Sequence, residues 1–139
     1  MKKSIRFSYF LLFLVVIALV SCTKTDTNIS PSGDSRAKFL GSWTVSETHT
    51  KGSFPVTILA DPNESSRVLI DNFANLLVGN RATAYISGNS ITLDPDQAVG
   101  NMTHISGSGT MTGTTTINWT YTMTDGATKT DATAVYTKK

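Results

Sequence analysis

The chain has 139 residues, with 12 basic and 10 acidic side chains and a single cysteine. It has no basic stripe or polybasic cluster, which argues against nucleic acid or anionic lipid as an electrostatic partner. Because no second cysteine exists, no disulfide can form within the chain, and packing and hydrogen bonds must hold the fold.

The first 22 residues have the pattern of a bacterial lipoprotein signal. A basic start precedes an apolar run over 10–20, and the sequence Leu-Val-Ser-Cys at 19–22 is a lipobox, the signal for lipid attachment to a cysteine. The apolar run is shorter than the roughly 20 residues of a membrane-spanning helix. We therefore predict a signal peptide over 1–21 and an anchor of acyl chains, such as palmitate, on Cys22.

Residues 22–38 form the next segment and are rich in Thr, Ser, Asp, Asn, Pro and Gly. Ile29 is its only large apolar residue. A segment of this composition does not bury enough apolar surface to order itself, so it predicts a flexible tether. The remaining residues, 39–139, are predicted to form one domain, in keeping with the usual size of about 100–200 residues.

From residue 39 onward, apolar and polar residues alternate with a period of two. Ile117, Trp119, Tyr121 and Met123 alternate with polar residues in the clearest example. This period is typical of strands with one buried face, and threonine suits the outer face because its branched side chain favours extended backbone. The pattern predicts β-structure throughout the domain.

Gly, Asn, Asp and Pro recur between these runs at hairpin spacing. The predicted strands cover residues 39–50, 54–60, 66–73, 81–87, 90–94, 102–111, 114–124 and 128–137. Segment 72–78 fits either a helical turn or a bulged corner. Consecutive hairpins bury one face each by closing on themselves, so we predict an all-β, single antiparallel up-and-down barrel of about eight strands, with a β-sandwich as the alternative.

Glycines in the strand over 102–111 have a structural interpretation. Gly107 and Gly109 lie in neither a nucleophile elbow nor a dinucleotide-binding unit, since strand-like residues follow them. Missing side chains would instead let the sheet bend, or let a large neighbour such as Trp119 lie across it.

The first predicted strand opens with Gly41-Ser42-Trp43, which resembles the Gly-x-Trp opening of lipocalins and related calycin barrels. The chain as a whole resembles small lipoproteins, common in Bacteroidota-type bacteria, that carry a lipocalin-like domain. The likeness also covers residues 68–73, 82–93, 105–110 and 132–136. Lipocalins place an arginine late in the chain over the tryptophan, whereas no arginine follows Arg81 here.

The residues after the lipobox indicate a location. By resemblance to lipoprotein sorting rules, Thr23 in place of an aspartate favours the outer membrane over the inner membrane. Only Asp26 lies close to the cysteine, and without an acidic run a periplasm-facing domain is favoured over exposure on the cell surface, which stays open as an alternative.

Aromatic residues are the candidates for a ligand pocket. They are Trp43, Tyr85, Trp119, Tyr121 and Tyr136. The alternative for all five is core packing, because an eight-stranded barrel is just wide enough to be filled by side chains or to hold one small ligand. Large aromatics favour a filled interior, and alanines at 82, 84, 132 and 134 favour some room.

Little in the sequence points to catalysis, and neither a catalytic residue nor a cofactor is predicted. Glu47 and His49 share a strand face and are weak candidates for a metal site or an oriented base. Zinc, however, takes three or four ligands, and the alternative is a solvated pair at the barrel rim. The sequence thus predicts a membrane-anchored, non-catalytic barrel that carries a small apolar ligand or binds an envelope protein, with a metal-assisted enzyme as the third hypothesis.

Overall fold

The computed structural model describes residues 33–139. Within that range nine strands form one antiparallel sheet. They are β1 (Gly41–Glu47), β2 (Ser53–Ala60), β3 (Arg67–Asp71), β4 (Arg81–Ser87), β5 (Ser90–Leu93), β6 (Gln97–Val99), β7 (Thr103–Thr112), β8 (Thr116–Asp125) and β9 (Thr128–Lys138). A single 3-10 turn, Phe73–Asn75, follows β3.

Eight of the strands close into an up-and-down barrel. Sheet neighbours follow chain order from β1 to β5 and from β7 to β9, and the β1–β9 and β5–β7 pairs complete the ring. The predicted single antiparallel barrel is therefore confirmed, with lipocalin-like topology, and the sandwich alternative is wrong. Closure leaves few strand edges free to pair with other chains, and it buries the one apolar face of each strand inside the barrel.

The short strand β6 was not predicted. It pairs with β7 beyond the end of β5, and its three residues are too few to show a period. Gln97 fixes it in place: its side-chain oxygen accepts a hydrogen bond from the Thr83 backbone N–H at 2.7 Å, and its side-chain nitrogen donates to the Thr83 carbonyl at 2.7 Å. The side-chain amide thus pairs with β4 as a neighbouring strand would.

The two glycines of β7 have the role that their sequence context predicts. Gly109 pairs with Trp119 across β7 and β8, and a Cβ atom at Gly109 would lie 2.8 Å from the Trp119 ring. The indole therefore lies across the strand where a side chain is missing.

One end of the barrel is sealed by the segment that leads into β1. The hairpin loops 61–66, 88–89 and 113–115 lie at this end. Phe39 is fully buried, and its carbonyl accepts a hydrogen bond from Trp43 Nε1 at 2.9 Å. Arg36 and Lys38, which precede Phe39, also make contacts at this end, with the Asp61 carbonyl and the Asn89 side chain.

Arg36 ties the leading segment to the β2–β3 loop. Its guanidinium pairs with Asp34, and its Nη1 donates to three carbonyl oxygens, those of Asp61, Glu64 and Arg67, at 2.8–3.1 Å. The Arg67 and Glu64 carbonyls also accept backbone hydrogen bonds, from Asp61 N–H and Arg67 N–H, so the arginine fills the second acceptor site of these oxygens and holds the loop in place.

Releasing that contact should loosen the sealed end. We expect Arg36→Gln to speed amide hydrogen exchange at Phe39 and Leu40 by about tenfold, the factor for roughly one charged hydrogen bond. Their N–H groups bond to the Arg36 carbonyl, and that turn depends on the side chain for its position. Arg81→Gln, an exposed change at the other end of the barrel, is the control. Equal exchange in both variants would contradict this role.

Lys138, near the end of the chain, lies over the ring of Trp43. Its Nζ donates to the Lys38 carbonyl at 2.8 Å and lies 5.3 Å from the centroid of the Trp43 ring. A cation over an indole face is stabilising. Lys138 is the penultimate residue of the chain and belongs to β9, so the last strand ends with its cation over the buried indole.

Candidate functional site

A cavity of about 350 Å³ opens at the end of the barrel opposite the sealed one. The connections 48–52, 72–80, 94–102 and 126–127 lie at this open end. The residues that line the cavity are His49, Ala74, Leu76, Thr103, Met123, Asp125, Thr128 and Thr130. Its volume falls within the range of small-molecule sites, about 300–1,000 Å³.

The lining of the cavity is mixed in character. Ala74, Leu76 and Met123 offer apolar surface, whereas three threonine hydroxyls, one imidazole and one carboxylate offer hydrogen bonds. Along β7 and β9 the inward positions change near the mouth from apolar residues to Thr103 and Thr130. An apolar wall with a few polar groups suits a small molecule with an apolar body and a polar end.

A strained loop forms one wall of the cavity. Asn72, Ala74, Asn75 and Leu77 all have left-handed backbone, with φ of 62°, 52°, 57° and 79°. Each such residue other than glycine carries a conformational cost, and strain of this kind concentrates at functional sites. The buried Asn72 side chain holds the loop to the barrel, because its Nδ2 donates to the Pro55 carbonyl at 2.8 Å.

Phe73 of this loop fills the interior of the barrel below the open end. It is fully buried, and its ring meets Trp119 and Tyr121 edge-on at centroid distances of 5.2 and 4.8 Å. The prediction had placed it at the end of a strand over 66–73, but β3 ends at Asp71. The body of the barrel is therefore filled by aromatic side chains, and the cavity lies at the mouth.

Glu47 is a buried carboxylate at the end of β1. It is 8% exposed, and it accepts hydrogen bonds from the Tyr121 hydroxyl and from Thr50 Oγ1, the latter at 2.6 Å. In residues 33–139 the ion pairs involve Asp34, Asp61 and Asp94, and none includes Glu47. The expectation of a solvated Glu47–His49 pair is thus wrong for Glu47, which Tyr121 shields, while His49 is exposed at the rim.

Two tyrosine hydroxyls respond to the Glu47 charge. Burial raises the pKa of Tyr121, and the hydrogen bond to Glu47 raises it further. Burial also raises the pKa of Tyr136, with a further contribution from the Glu47 charge. Tyr136 OH and Trp119 Nε1 are both buried and have no hydrogen-bond partner among the described residues. The interior below the mouth is therefore polar in places and only partly satisfied.

The predicted aromatic residues divide into three groups. Trp43 is buried at the sealed end, and Trp119, Tyr121 and Tyr136 fill the body of the barrel. Tyr85 is 41% exposed on the outside, so the expectation that it faces the interior is wrong. None of the five lines the mouth cavity.

The position of Tyr85 follows from strand register. Ala84 and Ile86 point inward, so the residue between them points outward, where the Arg67 guanidinium lies 5.8 Å from its ring centroid. Alternation in the sequence was the signal for this, because Ala82 and Ala84 share a parity that Tyr85 lacks.

Other predicted features are placed as follows. Within residues 33–139, no three His, Cys, Asp or Glu side chains come together as a ligand set for a metal ion. The same part of the chain contains no helix that is long and apolar enough to cross a membrane. The predicted signal peptide and lipidation site at Cys22 lie outside the described residues.

The fold and the cavity can be set against known proteins. Comparisons with protein-family models and with curated proteins give no match to this chain.

Proposed function

We propose that this protein is a lipid-anchored, non-catalytic binding module whose open end holds a small molecule with an apolar body. The observation that carries the proposal is a cavity of about 350 Å³ at one end of a closed barrel whose other end is sealed. A filled body with a hollow mouth favours partial enclosure of a small ligand over deep burial of a long one.

The proposed anchor is an acylated Cys22, as in the small Bacteroidota-type lipoproteins that the sequence resembles. The described chain begins at the sealed end of the barrel, where Arg36 contacts the β2–β3 loop. The proposed location is the outer membrane, with the barrel in the periplasm.

A binding titration tests the proposed function. We expect 1-octanol to bind saturably to the full chain and to shift NMR signals of Met123 and Thr103. Thr130→Phe places a ring in the cavity and should weaken binding by about tenfold or more, the effect of roughly 1.4 kcal/mol of lost contact. Thr133→Phe, on the outer face of the same strand, is the matched control and should bind as the wild type does.

Two results of the titration would contradict the proposed function. Shifts that grow linearly without saturation, or that persist unchanged in Thr130→Phe, would mean that the cavity is not the binding site.

A second candidate function is contact with another envelope protein. Leu77, Val78 and Met102 are apolar side chains exposed on loops of the open end, at 60%, 75% and 74%. Exposed apolar side chains near one another often mark interaction sites. A photo-reactive amino acid in place of Met102 should then give a discrete crosslinked product in native envelopes, and recovery of the monomer alone would count against this function.

A further inference from the structure

We propose that the mouth cavity selects ligands that carry a protonated amine, with the Glu47 carboxylate as the anionic partner. This inference rests on the proposed function and specifies the chemical class of the ligand. It starts from a charge that the described protein buries and does not neutralise.

Among the described residues, the Glu47 carboxylate has two hydroxyl donors and no basic partner. Tyr121 OH and Thr50 Oγ1 each donate to one of its oxygens. An ionised carboxylate offers about four acceptor sites, so these two bonds leave acceptor capacity unused. Burying a charge without an opposite charge is costly in free energy. A cationic ligand would supply the opposite charge and remove this cost, so its binding is favoured.

The carboxylate lies directly inward of the cavity lining. Glu47 is the last residue of β1 and accepts a hydrogen bond from Tyr121, which precedes Met123 by two residues on β8. His49 and Met123 both line the cavity. Since inward positions recur every second residue, the Glu47–Tyr121 pair forms the next layer below the lining.

A buried polar group without a partner supports the same position. Tyr136 is 1% exposed, its hydroxyl has no partner among the described residues, and it pairs across β9 and β1 with Val45, two residues before Glu47. A phenolic oxygen accepts as well as donates hydrogen bonds. An ammonium group has three donors, and the Glu47 carboxylate and the Tyr136 hydroxyl are acceptors with unused capacity in this part of the barrel.

Charged groups at the rim of the cavity also favour a cationic ligand. Asp125 lines the cavity and adds a second carboxylate, and His49 is the one basic side chain in the lining. At pH 8 a primary alkylamine, like the lysine side chain, is protonated. An alkyl carboxylate would meet like charge at both levels, so the cavity should discriminate against fatty acids.

Three probes of equal chain length separate charge from apolar contact. At pH 8 and low salt we expect octylamine to bind the full-length wild type at least tenfold more tightly than 1-octanol, and octanoate to bind most weakly. Glu47→Gln keeps a side-chain acceptor but removes the charge, so within this variant the affinity for octylamine should fall to within about twofold of that for 1-octanol. Asp131→Asn removes the same charge from the outside of the barrel and should change nothing.

The outcomes distinguish this inference from the proposed function. If 1-octanol binds saturably but octylamine binds no tighter, or octanoate binds equally well, the amine selectivity is refuted and the binding module stands. If Glu47→Gln and Asp131→Asn weaken octylamine equally, general surface charge is responsible and Glu47 is not the partner. If none of the three probes binds saturably, the proposed function itself fails.

Discussion

Replacing Gly107 by alanine is expected to destabilise the barrel by about 3 kcal/mol or more. A Cβ atom at this position would lie 2.4 Å from the Thr120 carbonyl oxygen and 2.5 Å from the Tyr121 Cα. These are backbone atoms of the paired strand β8, so they cannot move aside without disrupting the β7–β8 hydrogen bonds. The glycine φ of 149° adds strain for any residue with a side chain. Denaturant unfolding of each variant measures the loss.

Gly88→Ala is the matched control for this prediction. Gly88 also has a positive φ, 57°, but no atom lies within 4 Å of a Cβ built there. Only the conformational cost applies, about 1–2 kcal/mol for a left-handed residue. Equal unfolding free energies for the two variants would show that β7 and β8 do not approach each other as closely as described.

Phe73→Ala is expected to cost about 3 kcal/mol, the lower end for removal of a buried phenylalanine. The ring is fully buried and makes edge contacts with Trp119 and Tyr121, and its loss extends the mouth cavity inward. We therefore expect a lower unfolding midpoint together with stronger quenching of Trp119 fluorescence by acrylamide, because the indole loses its cover on the open side.

Leu77→Ala provides the comparison within the same loop. Leu77 is 60% exposed, and truncation there should change stability by no more than about 0.5 kcal/mol and leave quenching unchanged. If Phe73→Ala behaved like Leu77→Ala in both measurements, the phenylalanine would not fill the barrel.

The barrel was predictable because its signal is local and repeated. In β8, Ile117, Trp119 and Tyr121 alternate with polar residues, and the structure buries all three. For the glycines of β7 the sequence predicted either a bend or a large neighbour such as Trp119 lying across the strand, and the structure pairs Gly109 with Trp119. In contrast, β6 is held by the Gln97 side chain against β4, a tertiary contact that leaves no period in the sequence.

The site was less predictable than the fold. Glu47 and His49 were predicted to share a strand face, but β1 ends at Glu47, and Glu47 is hydrogen-bonded to Tyr121, which is 74 residues away in the chain. Phe73 lay in the overlap of a predicted strand over 66–73 and the ambiguous segment 72–78, and the structure places it in a 3-10 turn after left-handed Asn72. The cavity is a gap between loops and strand ends, and such gaps arise from packing rather than from residue pattern.

The location of a bound probe is the most direct measure of whether the mouth of the barrel is the binding site. With octylamine bound, we predict intermolecular nuclear Overhauser effects from its chain protons to the methyl groups of Met123, Thr103 and Thr130, and from the protons next to nitrogen to the Tyr121 ring. Contacts confined to outward-facing methyls such as Val135, or no intermolecular contacts at saturating octylamine, would contradict the account.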